Sequence, residues 1–323
     1  MNNGEDRTNG PITDHFDGER FYNERPIKHS FKDFRCWVRT REHNPWERIT
    51  GFVPPAPPPQ RVDDLRVSWI GHATVLIQTA GLNILTDPIF SDRIGPIPGF
   101  GPRRYHPPGV AFDDLPPIDA VLISHAHYDH LDRPTLRRLV ARFDPLIVAG
   151  LGLRRLLKTT GTRRVVTADW WQDVTLSDTV QTTLTPARHW SRRGLFDRNR
   201  SLWAGFWLHT PAGAVYFAGD TGMAPHFDAI RQQLGRPRVA LLPIGAYEPR
   251  WFMAQQHMNP EEAVTAHQIL GAEHSIGIHF ATFKLSDEAK LAPVTALDDA
   301  RKAASVTPQA FLAPAFGHGY TFD

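Results

Sequence analysis

Cysteine is almost missing from this chain. Cys36 is the single one in 323 residues, so no intramolecular disulfide can form and the fold has to rest on its core or on bound metal. That usage fits a reducing compartment, or any compartment in which the core suffices. Cys36 stands in "FRCWVR", apart from the motifs below, and is expected to be a small packed residue. A surplus of charge is missing too. Lys plus Arg number 36 against 34 for Asp plus Glu, a formal charge of +2. Bulk charge therefore gives no reason to expect a polyanion partner, and nucleic acid is not expected. Long apolar runs are the third absence. None approaches the ~20 residues that span a bilayer. The opening "MNNGEDRTNGPITDHFDGER" carries no apolar stretch of the kind that marks a signal peptide. The expectation is a cytoplasmic chain, at most peripheral to a membrane.

What is present is a sizeable apolar fraction, 41%, together with 28 prolines and 16 histidines. Residues 1–60 are polar, dotted with aromatics and short of regular periodicity, and end in "FVPPAPPPQ". Proline at that density disfavours helix and sheet interior and reads as an extended connector. These residues are expected to form an N-terminal arm that packs on the main domain, 61–323, through Phe16, Phe21, Phe31 and Trp37.

From Leu65 the texture changes to short apolar or β-branched runs: "LRVSWI", "TVLIQT", "NILT", "AVLIS", "LIVAG", "VQTTLTPA", "AGFWLHT", "AVYFAG", "VALLPIGA" and "HSIGIHF". Amphipathic stretches near 134–143, 225–234 and 260–270 fall among them and read as helices. Asn259 before Pro260, with Glu261 and Glu262 following, is a good helix start. Strands first in hairpins and then interleaved with helices indicate a layered α/β domain.

The strongest chemical signal is "SHAHYDHLD", with His125, His127, Asp129 and His130 directly after the strand "AVLIS". Four such groups are costly to bury unpaired. On a turn at a strand end they can converge, and imidazole with carboxylate is the donor set of zinc and similar divalent ions. Two metals need more donors, and each further candidate also closes an apolar strand. His189 ends "LTPARHW", Asp220 ends "VYFAGD" between Gly219 and Gly222, and His279 ends "SIGIH". Asp87 in "LTDP" and His72 in "GHAT" are strand-end groups that could orient a ligand or serve the fold alone.

The HxHxDH pattern of His125 to His130 resembles the metallo-β-lactamase superfamily, which implies a four-layer αββα sandwich. "WIGHATVLI", "LTDPIFSDR", "FAGDTG", "PIGAYEPRWFM" and "QHMNPEEAV" narrow the resemblance to the N-acylphosphatidylethanolamine-hydrolysing phospholipase D family over about residues 65–290. That resemblance implies two zinc ions per chain, although iron or manganese also suits such donors. His125, His127 and His189 would hold one ion. Asp129, His130 and His279 would hold the other, with Asp220 bridging. A water between two such ions loses a proton near neutral pH and becomes the nucleophile. The reaction implied is release of N-acylethanolamine and phosphatidic acid from a phospholipid.

The leaving alkoxide needs a proton donor. Tyr128, Tyr247 and His257 are the candidates, His257 first because Gln256 and His257 match a family active-site pair. Trp251 with Phe252 and Met253, Trp190, the "SLWAGFW" run and the pair Trp170–Trp171 offer aromatics for an acyl groove. Arg188, Arg192, Arg193, Arg198 and Arg250 offer phosphate contacts. A homodimer and peripheral membrane contact are further implications of the resemblance. A lactonase or other small-ester hydrolase on the same site is the alternative. RNA processing lacks the basic surface it would need, and a non-catalytic scaffold has no need of seven ligand positions.

Overall fold

The computed structural model describes residues 12–322, apart from 29, 43 and 98 and the side chain of Phe31. Two seven-stranded sheets face one another. The first begins as an antiparallel meander of β1 (Arg66–Gly71), β2 (Thr74–Thr79) and β3 (Leu82–Thr86). It continues in parallel through β4 (Ala120–Ile123), β5 (Leu146–Gly150) and β6 (Val165–Ala168), while β14 (Gly319–Thr321) pairs with β1 at the other edge. The second runs antiparallel through β7 (Asp173–Thr175), β8 (Gln181–Thr185), β9 (Gly205–His209) and β10 (Val215–Phe217). Parallel strands β11 (Val239–Pro243), β12 (His274–Ile278) and β13 (Phe311–Leu312) complete it.

The period-2 alternation of the strands sorts their side chains into layers. Val75, Ile77, Leu122 and Val148 point inward to a core that includes Phe206, Leu208, Phe217 and Leu241. Their neighbours Leu76, Val121, Ile123 and Ile147 point outward and meet Leu136 and Leu139 of α2 (Arg133–Phe143) and Leu157 of α3 (Arg154–Lys158). On the far side α4 (His226–Leu234), α6 (Pro260–Leu270) and α7 (Ala292–Ala303) cover the second sheet with Phe227, Ile230, Val264 and Leu297. The result is the αββα sandwich. Trp203 and Trp207 are fully buried, so this part of the "SLWAGFW" run is core and not groove. Full burial of one such side chain contributes about 1.5–3 kcal/mol.

Ahead of the sandwich, Phe16 and Phe21 pack on each other at 4.6 Å and bury themselves against Leu151, Ala187, Leu202 and Trp203. The weak periodicity before residue 60 gave no helix there, yet α1 (Phe31–Thr40) forms. Its start is a capping box, in which the Ser30 side chain accepts from the Asp33 amide and the Asp33 carboxylate accepts from the Ser30 amide. Ser-x-x-Asp was the signal available. Trp37 stacks on Phe252 at 5.1 Å, and its Nε1 donates to Asp287. Phe31, expected to pack with these, has a side chain outside the described residues. Cys36 is exposed on α1, which corrects the packed position expected of it: the helix presents that residue to solvent. The proline-rich segment lies along β2 and β3, where Gln78 Nε2 donates to the Pro59 carbonyl and Asn83 Nδ2 to that of Gln60.

Candidate metal centre

The chemically active side chains stand at the carboxyl ends of six strands, where open α/β sheets form their crevices. β1 delivers His72, β3 Asp87, β4 the turn from His125 to His130, β8 His189, β10 Asp220 and β12 His279. The turns are tight. His72, Asp87 and His279 all have positive φ, at 56°, 34° and 65°, a region that non-glycine residues seldom occupy and that clusters at functional sites. Gly219 also turns with φ +61°, and a Cβ there would lie 2.9 Å from that of Ser124. At Gly222 a Cβ would meet the Gln255 carbonyl at 2.8 Å. Both glycines beside Asp220 are therefore required by close approach.

Six of the predicted groups converge in two sets with Asp220 between them. His127 Nδ1 lies 2.7 Å from His125 Nε2 and 3.3 Å from His189 Nε2. Asp129 Oδ2 lies 3.4 Å from His130 Nε2 and 3.5 Å from His279 Nε2. Asp220 places Oδ2 at 3.1 Å from His130 Nε2 and 3.8 Å from His189 Nε2, and Oδ1 at 3.2 Å from His279 Nε2. These spacings fit a cation. Tetrahedral ligands at about 2.0–2.1 Å from zinc lie roughly 3.3 Å from one another. His130 Nε2, His279 Nε2 and Asp220 Oδ1 are buried without a hydrogen-bond partner, which such an ion would supply.

Hydrogen bonds behind the cluster assign the imidazole tautomers. Asp87 Oδ2 accepts from His130 Nδ1 at 2.7 Å and from Ser124 Oγ at 2.6 Å, and Oδ1 accepts from the Ser124 amide. The Ser124 oxygen is then free to accept from His125 Nδ1 at 2.9 Å. His189 Nδ1 donates to the Gln256 carbonyl at 3.1 Å. All three rings thus turn Nε2 inward, held by outer partners in the manner of metal-bound histidines. Asp87, for which two readings were open, holds the His130 ring from behind. His72, equally open, lies with Nε2 at 3.0 Å from Asp129 Oδ2 and its ring 3.9 Å from that of His279. Strand-end position was its only signal in the sequence.

Charge follows burial. Burial alone would raise the Asp129 and Asp220 carboxyls, but the facing His130 imidazole, helped by His279, holds both well below the carboxylate range. Burial pushes His125 and His189 well down and takes His127 to about 4 and His72 to about 3. Burial acts the same way on His279, but Asp220 and Asp129 outweigh it and lift that group to about 9. Burial lowers His130 too, but Asp220, Asp129 and Asp87 outweigh it and raise that group well above its ordinary value, so an ion bound here would displace a proton from His130 and from His279.

Above the cluster opens a cleft of about 720 Å³. His257 is on its wall, with Nδ1 3.9 Å from Asp220 Oδ2, and burial lowers its imidazole to about 4. Gln256, Trp190, Phe252 and Met253 line it too, as do Phe34 and Trp37 from α1. Of the arginines named from the sequence, Arg192 and Arg198 reach it. Tyr128 lines the wall, but its hydroxyl donates to the Arg193 carbonyl at 2.7 Å. Tyr247 is buried outside the lining, its hydroxyl pushed up to about 12 by burial and the nearby Glu288. Trp251 is half exposed beside Phe252 on α5 (Arg250–Met253), again outside the lining. Trp170 lies under the arm instead, stacked on His15 at 4.3 Å.

Known proteins resemble this arrangement. The family described as "Beta-lactamase superfamily domain" matches residues 82–280. The N-acyl-phosphatidylethanolamine-hydrolyzing phospholipase D 1 of Caenorhabditis elegans is 39% identical over 68% of this chain and 65% of its own length. The mitochondrial N-acyl-phosphatidylethanolamine-hydrolyzing phospholipase D of Saccharomyces cerevisiae is 34% identical over 72% of this chain and 50% of its own. The chain thus spans less than two thirds of the length of either. Among solved structures, an isothiocyanate hydrolase from Delia radicum gut bacteria superposes with a TM-score of 0.65 at 20% identity, covering 80% of this chain and 99% of that one. A diiron β-hydroxylase from Streptomyces venezuelae superposes with a TM-score of 0.61 at 19% identity, over 81% and 55%. These two show a shared fold alone. The match over residues 82–280, on a sandwich whose strand ends gather histidines and aspartates, means that the chain belongs to the β-lactamase superfamily and has the metallo-β-lactamase fold.

Proposed function

We propose that the chain is a metal-dependent phosphodiesterase of phospholipase D type, which hydrolyses N-acylphosphatidylethanolamine-like lipids to N-acylethanolamine and phosphatidic acid. The observation that carries this reading is one of juxtaposition. A two-set donor cluster bridged by Asp220 opens into a cleft lined by Phe34, Trp37, Phe252 and Met253. His125, His127 and His189 would hold one cation, Asp129, His130 and His279 the other, and Asp220 both. Zinc is the ion proposed. Bound there, the ions would supply Lewis acidity and a water ionised near neutral pH.

The chain's own residues do the rest. The apolar wall takes acyl chains and keeps water from the reacting diester. Arg192 and Arg198, at the mouth, attract the phosphate. His257 is buried and neutral, so it acts as a relay: it takes the proton shed by the attacking water and hands it to the departing alkoxide oxygen. One proton is released and one consumed, so no other acid is needed. Gln256 fixes His189 through its carbonyl. Exposed Ile97, Phe100, Leu195, Phe196 and Trp251 lie on loops and a short helix beside the cleft residues, and are proposed to rest on the lipid surface. No helix among the described residues is long and apolar enough to cross a membrane. The arm, through Ser30, Phe34 and Trp37, is proposed to serve the hydrolase domain, 61–323, as one wall of its cleft.

A direct test offers purified, metal-loaded protein an N-acylphosphatidylethanolamine, a lactone and a soluble chromogenic phosphodiester, with metal analysis alongside. About two zinc per chain and release of N-acylethanolamine are expected. Lactone turnover without diester cleavage would establish the small-ester reading instead.

A further inference from the structure

A second pocket, of about 550 Å³, lies behind the cleft and shares Tyr128 and the turn at 94–96 with it as a common wall. No chemistry proposed above uses it. Four guanidinium groups line it, from Arg93, Arg133, Arg137 and Arg193, against two carboxylates, Asp92 and Asp132. Both carboxylates are already engaged. Asp92 pairs with Arg48 at 2.7 Å, and Asp132 Oδ2 accepts from the Ser91 amide and from Thr135 Oγ1.

The arginines are not balanced in the same way. Among the described residues neither Arg133 nor Arg137 makes an ion pair, and Arg133 Nε is buried without a hydrogen-bond partner. Arg193 is fixed over the Tyr128 ring at 4.2 Å, with Nη1 donating to the Ala126 and Leu131 carbonyls. Burial lowers its tendency to carry charge, and the repulsion of Arg133 adds to that, against the opposing effect of Tyr128, Asp132 and Asp197. Arg133 also opens α2, whose first turn holds no acidic residue and whose N-cap Asp132 makes no side-chain capping bond. Cations at the positive end of a helix dipole oppose the usual preference. Four arginines and an uncapped helix start thus line one cavity, and a single oxyanion there would offset the repulsion between Arg133 and Arg193 and meet the positive end of α2.

We propose that this pocket binds a phosphomonoester-type oxyanion, carried by a lipid headgroup or by a soluble phosphate. The site is separate from the metal centre and does not depend on which ester that centre cleaves. The test uses metal-loaded protein and the variants Arg133→Glu and Arg137→Ala, with metal content and melting midpoint measured for each. Inorganic phosphate is titrated calorimetrically, and sedimentation measures binding to phosphatidylcholine vesicles with and without phosphatidic acid. Phosphate held at the metals is common to all three proteins and cancels in the comparison. The expected result is a second oxyanion site in the parent that weakens about tenfold or more in the variants, as loss of a charge-assisted contact predicts. A second phosphate site assigns a soluble anion, and a difference confined to phosphatidic acid vesicles assigns a headgroup. Equal binding by parent and variants in both assays overturns the proposal. Arg137→Ala, on an exposed side chain, decides the matter if Arg133→Glu does not fold.

Discussion

Floor and roof of the cleft differ in what holds them. The floor is a set of strand ends: the donors follow buried strands, His279 and the glycine before Asp220 turn through positive φ, and His130, His125 and His189 are fixed from behind by Asp87, Ser124 and the Gln256 carbonyl. The roof is helix α1 of the arm, joined to the body by side-chain contacts such as Trp37 on Phe252 and Trp37, Arg41 and Asn44 on Asp287. Preorganisation within a fraction of an ångström suits reacting groups, and adaptable apolar contact suits a lipid chain. A change in the floor should therefore abolish the chemistry, and a change in the roof should redistribute substrates.

The largest effect is expected from Asp220→Asn. The substitution removes the charge shared by His130 and His279 and sets an amide group against those imidazoles. Charge stabilisation of several kcal/mol is lost, which corresponds to a rate about 10³-fold lower or less. Metal per chain, read by elemental analysis, should fall with it, while circular dichroism stays close to the parent. Near-normal turnover would remove Asp220 from the bridging role and dissolve the contrast between floor and roof.

A smaller and more selective loss is expected from Trp37→Ala. One face of the cleft disappears, and with it the stacking on Phe252 and the cation–π contact from Arg41 at 4.8 Å. KM for a long-chain lipid should rise about tenfold, the transfer energy of a partly buried aromatic, with metal content unaltered. The soluble diester should lose much less. Equal losses on both substrates would show that α1 supports the floor rather than roofing it.

The same contrast governs what the sequence made legible. β2 and β5 run over the residues that "TVLIQT" and "LIVAG" mark, and α6 begins at the Asn259–Pro260 signal. Buried strands announce themselves by composition, and a His or Asp closing one is visible at once, which is why the meeting of the His125–His130 turn with His189, Asp220 and His279 could be anticipated. Their work as ligands is the proposal. His72 was less legible, because one strand-end histidine looks like another until its neighbour is known. Edge strands β7, β13 and β14 have only two or three residues, too few for a period. Trp203 and Trp207 could not be sorted from groove aromatics, since the side of a strand that faces a cleft depends on the partner sheet. Helix α1 was masked by its polar setting.

The arm's other anchor offers the gentlest probe. His15 Nε2 lies 2.7 Å from Asp169, its Nδ1 2.5 Å from Asp14, and its ring stacks on Trp170. Burial lowers the tendency of this imidazole to ionise, but Asp169 and Asp14 outweigh it, and the folded group titrates above its ordinary value of 6.5. A raised pKa contributes stability that is complete below the unfolded value and fades as pH climbs through the folded one. The arm should therefore be held more firmly at pH 6 than at pH 8.5, and hydrogen exchange over residues 12–40 should quicken at the higher pH beyond its intrinsic rise. His15→Phe keeps the stacking and removes the charge, so it should flatten that dependence while leaving the exchange of β4 and β5 alone. Identical protection of the arm at both pH values would mean that apolar burial of Phe16 and Phe21 fastens it unaided, and the roof would then be as insensitive to pH as the sandwich beneath it.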